Sequence, residues 1–160
     1  METGRVDPSG AQTIKNAHAA GIEYVDGYIF PCHSCGNPGG QVRDTVNHLH
    51  SSGAKFGMLW FDIEGSWSGT HAAHIEFIHG MIAEANALGI KWGIYSSYVQ
   101  WQGITGNTAQ FGAPPLWYAH YDDRASFSDF APFGGWKKPS IKQYVGNARV
   151  CGVGIDKNFY

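Results

Sequence analysis

No stretch of this chain holds the roughly 20 consecutive apolar residues that a bilayer-spanning helix requires, so the chain is not read as a membrane protein. Charge is also scarce. Only 15% of residues are charged, and 11 Lys and Arg stand against 13 Asp and Glu, for a net charge of -2. That balance offers no basic footprint for nucleic acid or for an anionic membrane surface, and a neutral or mixed substrate is expected instead. Cysteine is limited to Cys32, Cys35 and Cys151. An odd count in an exported protein implies a free thiol or a partner outside the chain. The opening METGRVDPSG lacks an apolar core and a small-residue cleavage site, so no secretory signal is expected in the chain as it stands. Repeats, low-complexity tracts and linker-like stretches are missing too, and 160 residues suit one domain spanning 1–160.

What is abundant is aromatic and glycine content: six Trp, eight Tyr, nine Phe and 22 Gly. Sugars present flat C–H faces that pack on aromatic rings, so this composition suits a carbohydrate cleft. An aromatic core gives the same count.

The hydrophobic pattern alternates between helix and strand. Asp7-Pro8 opens a first helix with Ala11, Ile14 and Ala17 or His18 at helical spacing, closed by Gly21. IEYVDGYIF reads as a strand ending at Pro31. Val42, Val46 and Leu49 mark a second helix that stops at Gly53. FGMLWFDI is a nearly unbroken apolar run, as expected of a strand covered on both faces. Ile75, Ile78, Ile82, Ala85 and Leu88 form the stripe of a third helix capped by Gly89, and IKWGIYSS follows as another buried strand. Beyond it the helices fade, leaving PLWYAHY, IKQY and VGID as strand candidates. Strand, helix and strand in succession predict an α/β fold with parallel strands and right-handed crossovers. Six strand candidates fall short of the eight that close a (β/α) barrel.

Asp62 and Glu64 end the apolar run FGMLWFDI. Residues two apart on a strand point to the same face, with Cα atoms roughly 6.5 Å apart. In a parallel α/β fold that end of the strand is where active sites form. Two carboxylates sharing a half-buried site push one pKa up and leave the other ionised. Glycoside cleavage needs that division: an acid to protonate the leaving oxygen and an anion beside the oxocarbenium-like centre. Retaining and inverting geometries both remain open. The plain alternative is a pair of acidic residues at the solvent boundary.

Cys32-His33-Ser34-Cys35 has the spacing of a redox or half-zinc motif, but no second ligand pair completes a zinc site. A local disulfide or simple loop thiols are expected. His71 and His74 read as solvated helix histidines, because no H-E-x-x-H pattern surrounds them. Ser34 and Ser96 lack a G-x-S-x-G elbow. Asp122-Asp123 reads as a solvated turn.

YVDGYIFPC, LWFDIEG, LWYAHY, IKQY and the closing GVGIDKNFY, kept in order over essentially the whole chain, resemble the glycoside hydrolase family 25 lysozymes, the Chalaropsis-type muramidases, in their amoeba and nematode branch. The resemblance implies a flattened β/α TIM-like barrel that loses helices toward its C-terminus. It also implies hydrolysis of the β-1,4 bond between N-acetylmuramic acid and N-acetylglucosamine of bacterial peptidoglycan. By resemblance Glu64 is the general acid, Asp62 orients the N-acetyl group or acts as the stabilising anion, and Asp156 supports them. Tyr28, Tyr95, Trp117 and Tyr121 fall on the aromatics that line the sugar cleft. The family's opening strand, with another active-site aspartate, and its second strand have no counterpart, so the barrel is expected to be incomplete at its N-terminus, with the partner of Cys151 expected in that missing portion. Neither metal nor organic cofactor is implied, and a monomer acting outside the cell or in lysosomal or phagosomal vacuoles, in antibacterial defence, is expected. The alternative from another class is a carbohydrate-binding pseudoenzyme, or an inactive fragment, that keeps the aromatic cleft without turnover.

Overall fold

The computed structural model describes residues 4–160, so the first three residues of the segment read for a secretory signal lie outside it. The chain forms two compact units. One runs up to Asp62 and resumes over Ser66–Gly93, and the other comprises Ile63–Gly65 and Ile94–Tyr160.

The first unit holds α1 (Gly10–Ala19), β1 (Gly27–Ile29), a 3-10 turn (His33–Cys35), α2 (Pro38–Ser51), β2 (Leu59–Asp62) and α3 (His71–Ala87), and the start of β3 (Trp92–Ser96). α1 begins at Gly10, later than the Asp7-Pro8 start expected: Asp7 Oδ1 accepts from Ser9 N at 2.8 Å in the turn before it, and the capping Ser9 makes no side-chain cap bond. The starts of α2 and α3 follow capping chemistry. The Asn37 side chain accepts from Gly40 N at the head of α2, with Pro38 in the first turn, and Thr70 accepts from Ala73 N at the head of α3. Gly21, Gly53 and Gly89 follow the three helices with positive φ, as their spacing predicted. β1 and β2 are parallel, with Tyr28 opposite Trp60.

β1 is shorter than IEYVDGYIF suggested. Ile22 and Tyr24 are exposed, and Asp26 bonds the amide of Met58 and the indole of Trp60 through its two oxygens. That side-chain bridge replaces strand pairing just before Gly27. The buried face of α3 also differs from the predicted stripe. His74, Phe77, Ile78, Met81 and Ala85 are buried, whereas Ile75, Ile82 and Leu88 are only partly so. The helix is turned because His74 seats against Ser68 O at 3.1 Å and meets the rings of His33 and Trp67 edge-on. His74 is therefore a core histidine, contrary to the solvated reading, and only His71 is exposed.

The second unit contains the end of β3, α4 (Tyr98–Thr105), β4 (Leu116–Ala119), β5 (Ile141–Val150) and β6 (Val153–Phe159). α4 was not expected. It is short and interrupted by Gly103, which weakens its sequence signal, yet Ser97 caps it and Trp101 and Ile104 are buried beneath it. β3, β4 and β5 run parallel. β6 is antiparallel to β5, contrary to the all-parallel expectation. Cys151 and Gly152 adopt φ of 51° and 81°, the left-handed pair of a two-residue hairpin turn, and so short a turn can join only antiparallel neighbours. Among the described residues no helix is long and apolar enough to cross a membrane.

Candidate active site

Asp62 is the last residue of β2 in the first unit and is half-buried. Glu64 follows two residues later, also half-buried, in the second unit. The backbone on both sides of Glu64 is pinned. Ile63 N donates to Tyr95 O at 2.8 Å and Ile63 O accepts from Ser96 Oγ at 2.7 Å, while Gly65 N donates to Gln100 Oε1 at 3.0 Å. Ser96 is thus a buried clamp beside an acid. Burial raises the Glu64 carboxyl above the usual glutamate range, because the charged form loses water.

Four of the other predicted residues meet in the second unit around one amide the sequence reading passed over. Gln143, on β5, accepts the hydroxyls of Tyr95 and Tyr121 on its oxygen. Its nitrogen donates to Asp156 Oδ2 at 2.9 Å. Trp117 packs edge-on against Tyr95 with ring centres 4.8 Å apart, and its indole donates to Asn158 Oδ1 at 2.8 Å. The strand pleat accounts for the gathering. Ala119 is opposite Gln143 across the β4–β5 pair, and Gln143 is opposite Asn158 across β5–β6, so alternate residues of these strands share a face. Tyr95 shows only 7% of its surface and enters the cluster through its hydroxyl, while Tyr121 is 60% exposed and offers a ring face to solvent. Tyr28 lies in the first unit on β1 and is 66% exposed.

The opposite face of β5 carries Lys142, which is fully buried and bonds Asp129 at 2.7 Å and Asp122 at 2.9 Å. Asp122 is therefore an ion-pair partner, which corrects the solvated-turn reading; Asp123 beside it is exposed. His120 Nδ1 donates to Asp129 Oδ2 at 2.6 Å, and Tyr118 donates to the same carboxylate. His120, Asp122 and Asp129 bring ligand-type atoms within 4.8 Å of one another. The ammonium of Lys142 already sits on both carboxylates there, so a cation would meet a fixed positive charge. Cys32 and Cys35 form the local disulfide, one of the two expected outcomes, and Cys151 is free and exposed.

The family model described as Lysozyme-like protein 1 matches residues 1–144. Two curated proteins of Dictyostelium discoideum, Probable GH family 25 lysozyme 2 and Probable GH family 25 lysozyme 4, are 46% and 47% identical to this chain. The matches cover 98% and 100% of it and 74% and 76% of their own lengths. The chain belongs to the glycoside hydrolase family 25 lysozymes. The muramidase from Trichobolus zukalii superposes with a TM-score of 0.77 at 24% identity, over 98% of this chain and 76% of that one. A bacterial lysozyme from Streptomyces coelicolor gives 0.75 at 22% identity. These likenesses bear out the α/β family 25 fold. About three quarters of each such relative is matched.

Proposed function

We propose that this family 25 chain is a lysozyme that hydrolyses the β-1,4 bond between N-acetylmuramic acid and N-acetylglucosamine in bacterial peptidoglycan. Membership of the lysozyme family supports the reaction class, and the observation that carries the role of Glu64 is its half-buried carboxyl with a raised pKa. A carboxyl that holds its proton to higher pH than an ordinary glutamate can pass it to the glycosidic oxygen as the bond breaks. In this reading Asp62 assists at the anomeric centre or the acetamido group, and Asp156 adds negative potential where positive charge develops. In the same reading Tyr28, Tyr95, Trp117 and Tyr121 are the aromatics of the sugar cleft. Action outside the cell or in digestive vacuoles, against bacteria, belongs to the same proposal.

E64Q tests it. The amide keeps the shape and cannot donate the proton, so cell-wall lysis followed by turbidity is expected to fall roughly 100- to 10,000-fold while binding of cell-wall fragments persists. Undiminished lysis by E64Q removes Glu64 from the mechanism. Binding without lysis by the wild-type chain favours the pseudoenzyme.

A further inference from the structure

Gln143 is 5% exposed and uses both ends of its amide. A buried amide is costly unless its hydrogen bonds are met, so its partners determine which way it points. The oxygen accepts two tyrosine hydroxyls, Tyr95 from β3 and Tyr121 from beyond β4. The nitrogen must then face β6, where it donates to Asp156 Oδ2. The other Asp156 oxygen accepts from Asn147 N at 3.1 Å. Asn147 has a φ of 68° and lies where β5 slips register against β6, which frees that amide from the ladder. Asp156 is itself exposed. An exposed aspartate without such donors is free to change rotamer, whereas here both oxygens are tied to N–H groups.

We infer that Gln143 is a positioning residue of the hydrolase: its amide aims the Asp156 carboxylate and holds the Tyr95 and Tyr121 hydroxyls away from it. The inference rests on the proposed lysozyme reading and adds a residue to it. The hydroxyls are committed as donors to Gln143, so the carboxylate receives N–H donors only and keeps its free lone pairs for the substrate side. The titratable groups facing Gln143 are Tyr95, Tyr121 and Asp156. Its neighbour Lys142 points to the other face of β5, toward Asp122 and Asp129.

The test compares Q143E and Q143M with the wild-type chain, measuring kcat and KM for cell-wall lysis across pH, with a thermal melt of each. Q143M loses all three bonds and is expected to lose roughly 10- to 100-fold in kcat at every pH, the scale of a misplaced active-site group, with little change in KM. Q143E still accepts both hydroxyls but cannot donate to Asp156 when ionised. Its activity relative to wild type is expected to be low near neutrality and to recover on acidification, because the protonated carboxyl regains a donor. Q143M is expected to show no such recovery. If Q143M melts below the assay temperature, Q143E, which keeps the size of the side chain, carries the test. Variants with wild-type kcat and pH profile, altered only in melting temperature, overturn the inference and leave the lysozyme reading standing. A rise in KM alone would mark Gln143 as a binding group and also overturns it. Absence of lysis by the wild-type chain overturns the lysozyme reading itself, and the inference with it.

Discussion

Lys142 and Asp129 form a 2.7 Å ion pair in the second unit, and Lys142 has no exposed side-chain surface. Burial alone would lower the lysine pKa, but its bonds to Asp129 and Asp122 outweigh that and raise it. Burial alone would likewise raise Asp129, but donors from Lys142, His120 and Tyr118 hold it well below the usual carboxylate range.

The signs give a pH window for stability. The Asp129 contribution is present above its ordinary value of 3.8 and is lost as pH falls through the lower folded value. The Lys142 contribution is present below 10.5 and is lost as pH rises through the higher folded value. K142M leaves two neighbouring carboxylates without their cation. It is expected to cost about 3 kcal/mol near neutrality, the low end for a broken buried pair because the carboxylates retain some water. Urea unfolding of both proteins between those limits checks this. A variant as stable as wild type would show that the pair contributes nothing net.

Glu64 has the opposite consequence for stability. Its folded pKa lies above the ordinary 4.5, so its contribution is fully present below 4.5 and is lost as pH rises through the folded value. E64Q carries no such penalty. It is expected to melt at a higher temperature than wild type near neutrality, with the gap closing below 4.5, in keeping with acids kept for function at a cost in stability. Equal melting curves at every pH would mean that burial of Glu64 carries no energetic cost.

Gly80 on α3 marks a close helix crossing. A Cβ there would lie 2.6 Å from Cγ of Pro38 at the head of α2, a rigid ring that cannot swing aside. G80A is expected to be destabilised by about 1 kcal/mol net, since overpacking of ~1–3 kcal/mol exceeds the ~1 kcal/mol helix preference of alanine. G103A on α4, where a Cβ meets open space, is expected to be stabilised by about 1 kcal/mol. Thermal melts of the two variants should move in opposite directions.

Much of the fold was legible along the chain because the signals are local. FGMLWFDI gave β2, with Leu59, Trp60 and Phe61 buried. Val42, Val46 and Leu49 gave the buried face of α2. A separation of three positions suffices for Cys32 and Cys35 to bond. The site residues were legible only through resemblance, apart from Asp62 and Glu64, whose spacing at a strand end is itself a signal. IKQY reads as a strand, yet nothing in it marks Gln143 and Lys142 as buried. A lysine and a glutamine in a strand look like solvent-facing residues, and nothing nearby shows that both are buried. Alternation in IKQY, set against a buried neighbour strand, was the one cue to opposite faces.

The amino-acid order alone was enough for the ends of α1, α2 and α3 at Gly21, Gly53 and Gly89 and for the buried strand β2, because apolar periodicity and turn residues act within a few positions of one another. Tertiary structure alone decided the partners of Gln143, Lys142 and His74, and which face of α3 is buried. Those outcomes depend on groups brought together from distant strands and loops, and a buried polar side chain takes its orientation from whichever donors and acceptors the folded chain sets around it.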